Sequence, residues 1–146
     1  MQSMSKKYKL FVYGTLRKGC HNHYFMRDAK FISNGHTEER MCLVAHIDYQ
    51  VPLTWLDSHG TQLKGELYEI DEQSLAPIHG MEINSGYHAK KMVIVEETGK
   101  HTIALVYCHY SPEKQFSNKY FAKIEDGDFL NWYNPFQYLR RDTGGL

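Results

Sequence analysis

Apolar runs of strand length recur along the whole chain, while only one or two stretches carry helical spacing, and this contrast decides the fold class. Leu10 to Tyr13, Met41 to Ala45, Leu63 to Ile70, Met92 to Val95 and Ile103 to Tyr107 are short runs rich in β-branched, aromatic and other apolar residues. In the clearest of them Leu63, Gly65, Leu67 and Glu69 share one face of a strand, and Lys64, Glu66, Tyr68 and Ile70 share the other. Arg40 to Ile47 reads as a strand covered on both faces, and Lys30 to Asn34 as a link or short strand. Tyr87 to Glu96 and His101 to Tyr110 flank the turn Thr98-Gly99-Lys100 and are expected to pair as a hairpin.

Helical signals are fewer. Asn22 to Lys30 is expected to form a short helix, with Asn22 as cap and Tyr24, Phe25, Met26 and Ala29 as an apolar stripe. Asp71 opens a second: it is a good N-cap, Glu72 follows in the first turn, Leu75 and Ile78 lie three positions apart, and Pro77 limits regularity. Ile124 through Phe129, Trp132, Tyr133 and Phe136 reads as a short helix followed by an aromatic tail. Many strands and few helices, without βαβ alternation, predict an α+β fold. Its sheet is mixed, mostly antiparallel and able to curl into a small barrel with one or two short helices.

No linker divides the apolar runs, and 146 residues suit one domain, expected to span 1–146 with a core of about 8–133 and a tail over 134–146. Seventeen basic side chains are balanced by seventeen acidic ones, which argues against binding along a phosphate backbone and so against a nucleic-acid partner. No run approaches the ~18 apolar residues that cross a bilayer. Met1 to Lys7 lacks the apolar core of a secretory signal, so a cytoplasmic location is expected. Cys20, Cys42 and Cys108 are far apart and show no CxxC spacing, as suits reduced thiols rather than a disulfide framework. Nothing in the sequence specifies an oligomeric state.

Two segments carry candidate chemistry. In Lys9-Leu10-Phe11-Val12-Tyr13-Gly14-Thr15-Leu16-Arg17-Lys18-Gly19 a strand runs into a glycine and a hydroxyl residue. Gly14 has no Cβ, permits an unusual φ and lets a ligand approach the backbone, whose N–H groups suit an anion or oxyanion. The same residues suit a purely structural turn. In His79-Gly80-Met81-Glu82-Ile83-Asn84-Ser85-Gly86-Tyr87, Glu82 stands among small and apolar neighbours, and burial there raises a carboxyl towards neutrality, where it can take and return a proton. A surface or capping glutamate fits the local sequence as well. Cys20-His21-Asn22-His23 offers zinc-type ligand residues, but the two histidines diverge on a helix and no second cluster joins them, so no metal is expected. Neither Cys20 nor Cys108 shows the base-and-orienter pattern of a thiol nucleophile, and there is no Walker loop, dinucleotide fingerprint or serine elbow.

Taken together, these segments resemble the γ-glutamylcyclotransferase-like family, which includes γ-glutamylamine cyclotransferases and AIG2-like proteins. Phe11-Val12-Tyr13-Gly14-Thr15-Leu16-Arg17 resembles its first strand and substrate loop, with Gly19 and Asn22 following in place. Gly65 to Ile70 is similar to its central strand, and Ile78 to Glu82 to the stretch with its catalytic glutamate. Tyr87, Val106-Tyr107 and Gly127-Asp128-Phe129 match later signatures. Three positions depart from the pattern: His79 stands where aspartate is frequent, Ile83 where glycine is common, and Lys90 or Lys91 where arginine is usual.

The resemblance implies a small barrel and an enzyme in which a γ-glutamyl amide closes on itself. Its α-amine attacks the γ-carbonyl to release an amine and 5-oxoproline. Glu82 is then the general acid/base. Tyr13, Gly14, Thr15, Leu16, Arg17, Tyr87 and Tyr107 are expected to bind the substrate, and no cofactor or covalent intermediate is required. Tyr107 suits a core position equally well, and Arg17 a structural one. The rival reading is a non-catalytic module that binds a γ-glutamyl or amino-acid ligand, with Glu82 pairing its ammonium. The leaving amine, whether an amino acid, an ε-lysyl group, a polyamine or a modified metabolite, is not specified by these residues.

Overall fold

The computed structural model describes residues 6–112 and 119–136. Five strands close into a barrel: β1 (Lys7–Val12), β2 (Lys30–Thr37), β5 (Lys64–Asp71), β6 (His88–Glu96) and β7 (His101–Cys108). They run in the order β1-β5-β2-β6-β7. All neighbours are antiparallel except at the closure, where Leu10 of β1 pairs in parallel with Leu105 of β7. A separate antiparallel sheet places β3 (Met41–His46) between β4 (Pro52–Leu56) and β8 (Phe121–Lys123). The expected hairpin is β6 with β7, turning at Gly99, whose φ is +87°. Two helices complete the α+β fold: α1 (Glu72–Asn84) and the short α2 (Phe129–Trp132).

Strand alternation sorts β1 between two packed clusters. Phe11 and Tyr13 join Leu43, Leu67, Ile94 and Phe129 in one. Leu10 and Val12 join Ile70, Leu75, Ile78 and Tyr107 in the other, which seats α1. Asp71 caps that helix as expected, accepting from the Ser74 N–H at 2.8 Å. The helix runs through Pro77 for 13 residues, because burial of Leu75 and Ile78 outweighs one lost backbone bond.

The helix expected over 22–30 is replaced by a single 3-10 turn, His23–Met26. Asn22 does not cap it; its amide donates to Thr15 Oγ1 at 3.0 Å instead. Of the proposed stripe only Met26 is buried, Tyr24 being 59% exposed, and from Lys30 the chain is committed to pairing with β5. That strand extends through Thr37, beyond the link anticipated over 30–34. Strands β4 and β8 have no counterpart in the sequence reading. Most of the expected C-terminal tail lies outside the described residues. Among those residues, no helix is long and apolar enough to cross a membrane.

Candidate active site

The loop after β1 folds back on itself through local hydrogen bonds. Gly14 accepts from the Arg17 N–H and Arg17 from the Cys20 N–H, both at 3.0 Å, while Thr15 accepts from the Asn22 N–H at 3.1 Å. The N–H groups of Gly14, Thr15 and Leu16 donate to no acceptor among the described residues, and all three residues line a cleft. Gly14 is needed there for space rather than for an unusual φ, since its φ is not positive. A Cβ on Gly14 would lie 2.5 Å from Cγ of Pro52, the first residue of β4.

Opposite the loop is the last turn of α1. Gly86 ends the helix at φ +88°, with its N–H on the Ile83 carbonyl at 3.1 Å and the Tyr87 N–H on the Glu82 carbonyl at 2.9 Å. This Schellman closure ties Glu82 and Tyr87 together through the backbone and directs both to the cleft. The cleft is walled by Tyr13, Gly14, Thr15, Leu16, Pro52, Glu82, Tyr87 and Tyr107. Every site residue expected from the sequence except Arg17 is therefore brought together. Pro52 was missed, because no strand was read over Pro52–Leu56 and nothing local marks it as part of the cleft.

Glu82 forms no hydrogen bond or ion pair through its carboxylate among the described residues. Burial raises its pKa from 4.5 to about 7, and no cation offsets that shift. Three phenols line the same cleft, each pushed up by burial and by the Glu82 charge, Tyr107 to about 12. Tyr13 donates its hydroxyl to the Tyr107 carbonyl at 2.5 Å, and Tyr87 donates to the Pro52 carbonyl. The Tyr107 hydroxyl lies 2.8 Å from Nδ1 of His79.

Arg17 does not meet a ligand in this cleft. Its guanidinium is buried elsewhere, with Nε 2.7 Å from Glu66 Oε2 and Nη1 2.9 Å from Asp128 Oδ1. The other Glu66 oxygen accepts from the Lys18 N–H at 2.9 Å and from the Tyr68 hydroxyl at 3.0 Å. Of the two roles open to Arg17, these contacts match the structural one: Arg17 pins the far side of the loop to β5. Cys20 lies beside this cluster, and burial pushes its thiol up to about 12. His21 Nδ1 faces the Tyr133 hydroxyl at 3.1 Å, while His23 Nδ1 faces the Leu16 carbonyl at 2.8 Å.

The family model described as "Gamma-glutamyl cyclotransferase, AIG2-like" matches residues 10–131, a span that holds both the loop and Glu82. The chain belongs to this family. A Methanocaldococcus jannaschii protein provisionally named a γ-glutamylcyclotransferase is 35% identical over 125 residues, which cover 84% of this chain and 96% of that protein. The γ-glutamylaminecyclotransferase of Mus musculus is 30% identical over 142 residues, 86% of this chain and 95% of the relative. Among solved structures, that of a mouse AIG2-like protein superposes with a TM-score of 0.66 at 32% identity, covering 73% of this chain and 81% of that one. The barrel is accordingly the fold of the γ-glutamyl cyclotransferase, AIG2-like family.

Proposed function

We propose that this protein cleaves a γ-glutamyl amide by intramolecular attack. The substrate's α-amine bonds to its γ-carbonyl carbon, the bond from that carbon to the departing nitrogen breaks, and 5-oxoproline and a free amine leave. One observation carries this reading: across a cleft from Glu82, whose carboxyl burial pushes up to about 7 and which has no ion pair among the described residues, stand backbone N–H groups with no acceptor among those residues. Ring closure draws its nucleophile from the substrate, so the protein's task is to hold the chain folded and to move protons. The α-ammonium gives up two protons and keeps one in the lactam; the departing nitrogen gains two. Glu82 takes a proton from the attacking nitrogen and returns it to the leaving one, and a pKa near neutrality suits both steps. The Gly14 to Leu16 N–H groups take the substrate carboxylate or the carbonyl oxygen that becomes negative.

Release of 5-oxoproline from a panel of γ-glutamyl amides, with α-amino-acid, ε-lysyl and polyamine leaving groups, tests the proposal. Wild-type protein is expected to turn over at least one of them, and folded Glu82→Gln none. Undiminished turnover by Glu82→Gln refutes the role of this carboxylate. Binding without product across the panel makes the cleft a binding site only.

A further inference from the structure

The three phenols around Glu82 differ in what holds their protons. Tyr13 and Tyr87 donate to main-chain carbonyls, those of Tyr107 and Pro52. A carbonyl has no proton to give back, so both phenol oxygens have only lone pairs left for a ligand. Tyr107 has a different partner, Nδ1 of His79, an exposed residue one helical turn before Glu82. An imidazole nitrogen accepts in one tautomer and donates in the other, and the partner of each nitrogen selects between them. All three phenols line the cleft together with Glu82. An ammonium seated there carries donors and no lone pair. It cannot receive the Tyr107 proton, which must then rest on another acceptor, and His79 Nδ1 stands 2.8 Å away.

We infer that His79 is a positioning residue: its Nδ1 accepts the Tyr107 hydroxyl proton, so that Tyr107 joins Tyr13 and Tyr87 in presenting only lone pairs to the substrate ammonium beside Glu82. This rests on the γ-glutamyl reading above and fixes the direction in which the substrate lies. Its ammonium sits among the phenol oxygens and Glu82, and its carboxylate or carbonyl oxygen at the Gly14 to Leu16 N–H groups. With the proton on Nδ1 instead, His79 donates to Tyr107, and the phenol hydrogen turns towards the ligand and opposes the ammonium.

Two measurements test the inference. Ring ¹⁵N NMR of the full chain is expected to show His79 with Nδ1 unprotonated and the proton on Nε2, and Tyr107→Phe to move the Nδ1 signal. In kinetics with a γ-glutamyl amide that the wild type turns over, His79→Ala is expected to raise KM about five- to tenfold with a smaller change in kcat. His79→Asn, whose Oδ1 replaces Nδ1 as an acceptor, is expected to stay within about twofold of wild type. In a Tyr107→Phe background, His79→Ala is expected to add nothing. A protonated Nδ1, a failed Asn rescue, or losses that multiply in the double variant overturn the inference. Glu82→Gln measured in parallel separates the two readings: if it keeps full turnover, the role of Glu82 as acid/base falls, while the NMR result still decides the role of His79.

Discussion

Burying the Glu82 carboxyl without a cation costs the native state stability, and replacing it by glutamine exposes the amount. Folding moves its pKa from 4.5 up to about 7 by burial. Between these values the unfolded chain releases the proton while the folded chain keeps it. The folded state therefore binds more protons, and stability falls as pH rises through this window; below 4.5 and above about 7 the Glu82 contribution is flat. The gap, at about 1.4 kcal/mol per tenfold, amounts to about 3 kcal/mol, and partial exposure of the carboxyl reduces this to about 2 kcal/mol. Glutamine keeps the size and never ionises. Urea unfolding of both proteins should give equal stabilities at about pH 4 and a Glu82→Gln variant more stable by about 2 kcal/mol at about pH 8. The same ionisation should appear in catalysis, with wild-type kcat/KM rising with pH and levelling above about 7. A stability difference independent of pH, or a glutamine variant less stable at the alkaline end, refutes the placement of an unpaired buried carboxylate.

Two further substitutions separate scaffold from cleft. Arg17→Ala should lower the unfolding free energy by about 3–5 kcal/mol, because it leaves the buried Glu66 carboxylate without its cation; a loss below about 1 kcal/mol contradicts that role. Gly14→Ala sets a methyl 2.5 Å from the Pro52 ring and should cost about 1–3 kcal/mol in thermal or urea unfolding. It should also depress 5-oxoproline release, since Pro52 carries the carbonyl that holds Tyr87. Gly80→Ala, on the exposed face of α1 with nothing within 4 Å, serves as its neutral or stabilising control.

What the sequence revealed depended on how local the cause was. The β6–β7 hairpin and the Asp71 cap are written into a few adjacent residues, by alternation around Gly99 and by a side chain that bonds three residues on. Glu82 stood out for the same reason, by its small and apolar neighbours, whereas the Gly86 turn that ties it to Tyr87 shows only in the folded backbone. The 22–30 segment misled because its helical spacing was real but its partners were remote: Asn22 is engaged by Thr15, and Lys30 pairs across the barrel with Glu69. Strand β4 is only five residues, opens on a proline and gains its order from β3, so its own pattern gave little signal. The contribution of Pro52 to the cleft depends on contacts with Gly14 and Tyr87, residues that lie 38 and 35 positions away in the chain.

The place of Arg17 and the pKa of Glu82 turn out to be linked. Read along the chain, a guanidinium one residue beyond the Tyr13 to Leu16 loop invites a contact with a substrate carboxylate. Glu66 and Asp128 instead hold that charge behind the loop, at 2.7 and 2.9 Å. Had it faced the cleft, its field would have drawn the Glu82 carboxyl down, away from the range in which a proton is both taken and returned. With the cation neutralised on the far side, burial alone sets the acidity of Glu82. In the proposed mechanism the anionic end of the substrate then meets backbone N–H dipoles, which polarise a carbonyl without adding a full charge near Glu82. The buried pair thus does two things at once: it fixes the loop whose N–H groups line the cleft, and it keeps a positive charge away from the Glu82 carboxyl.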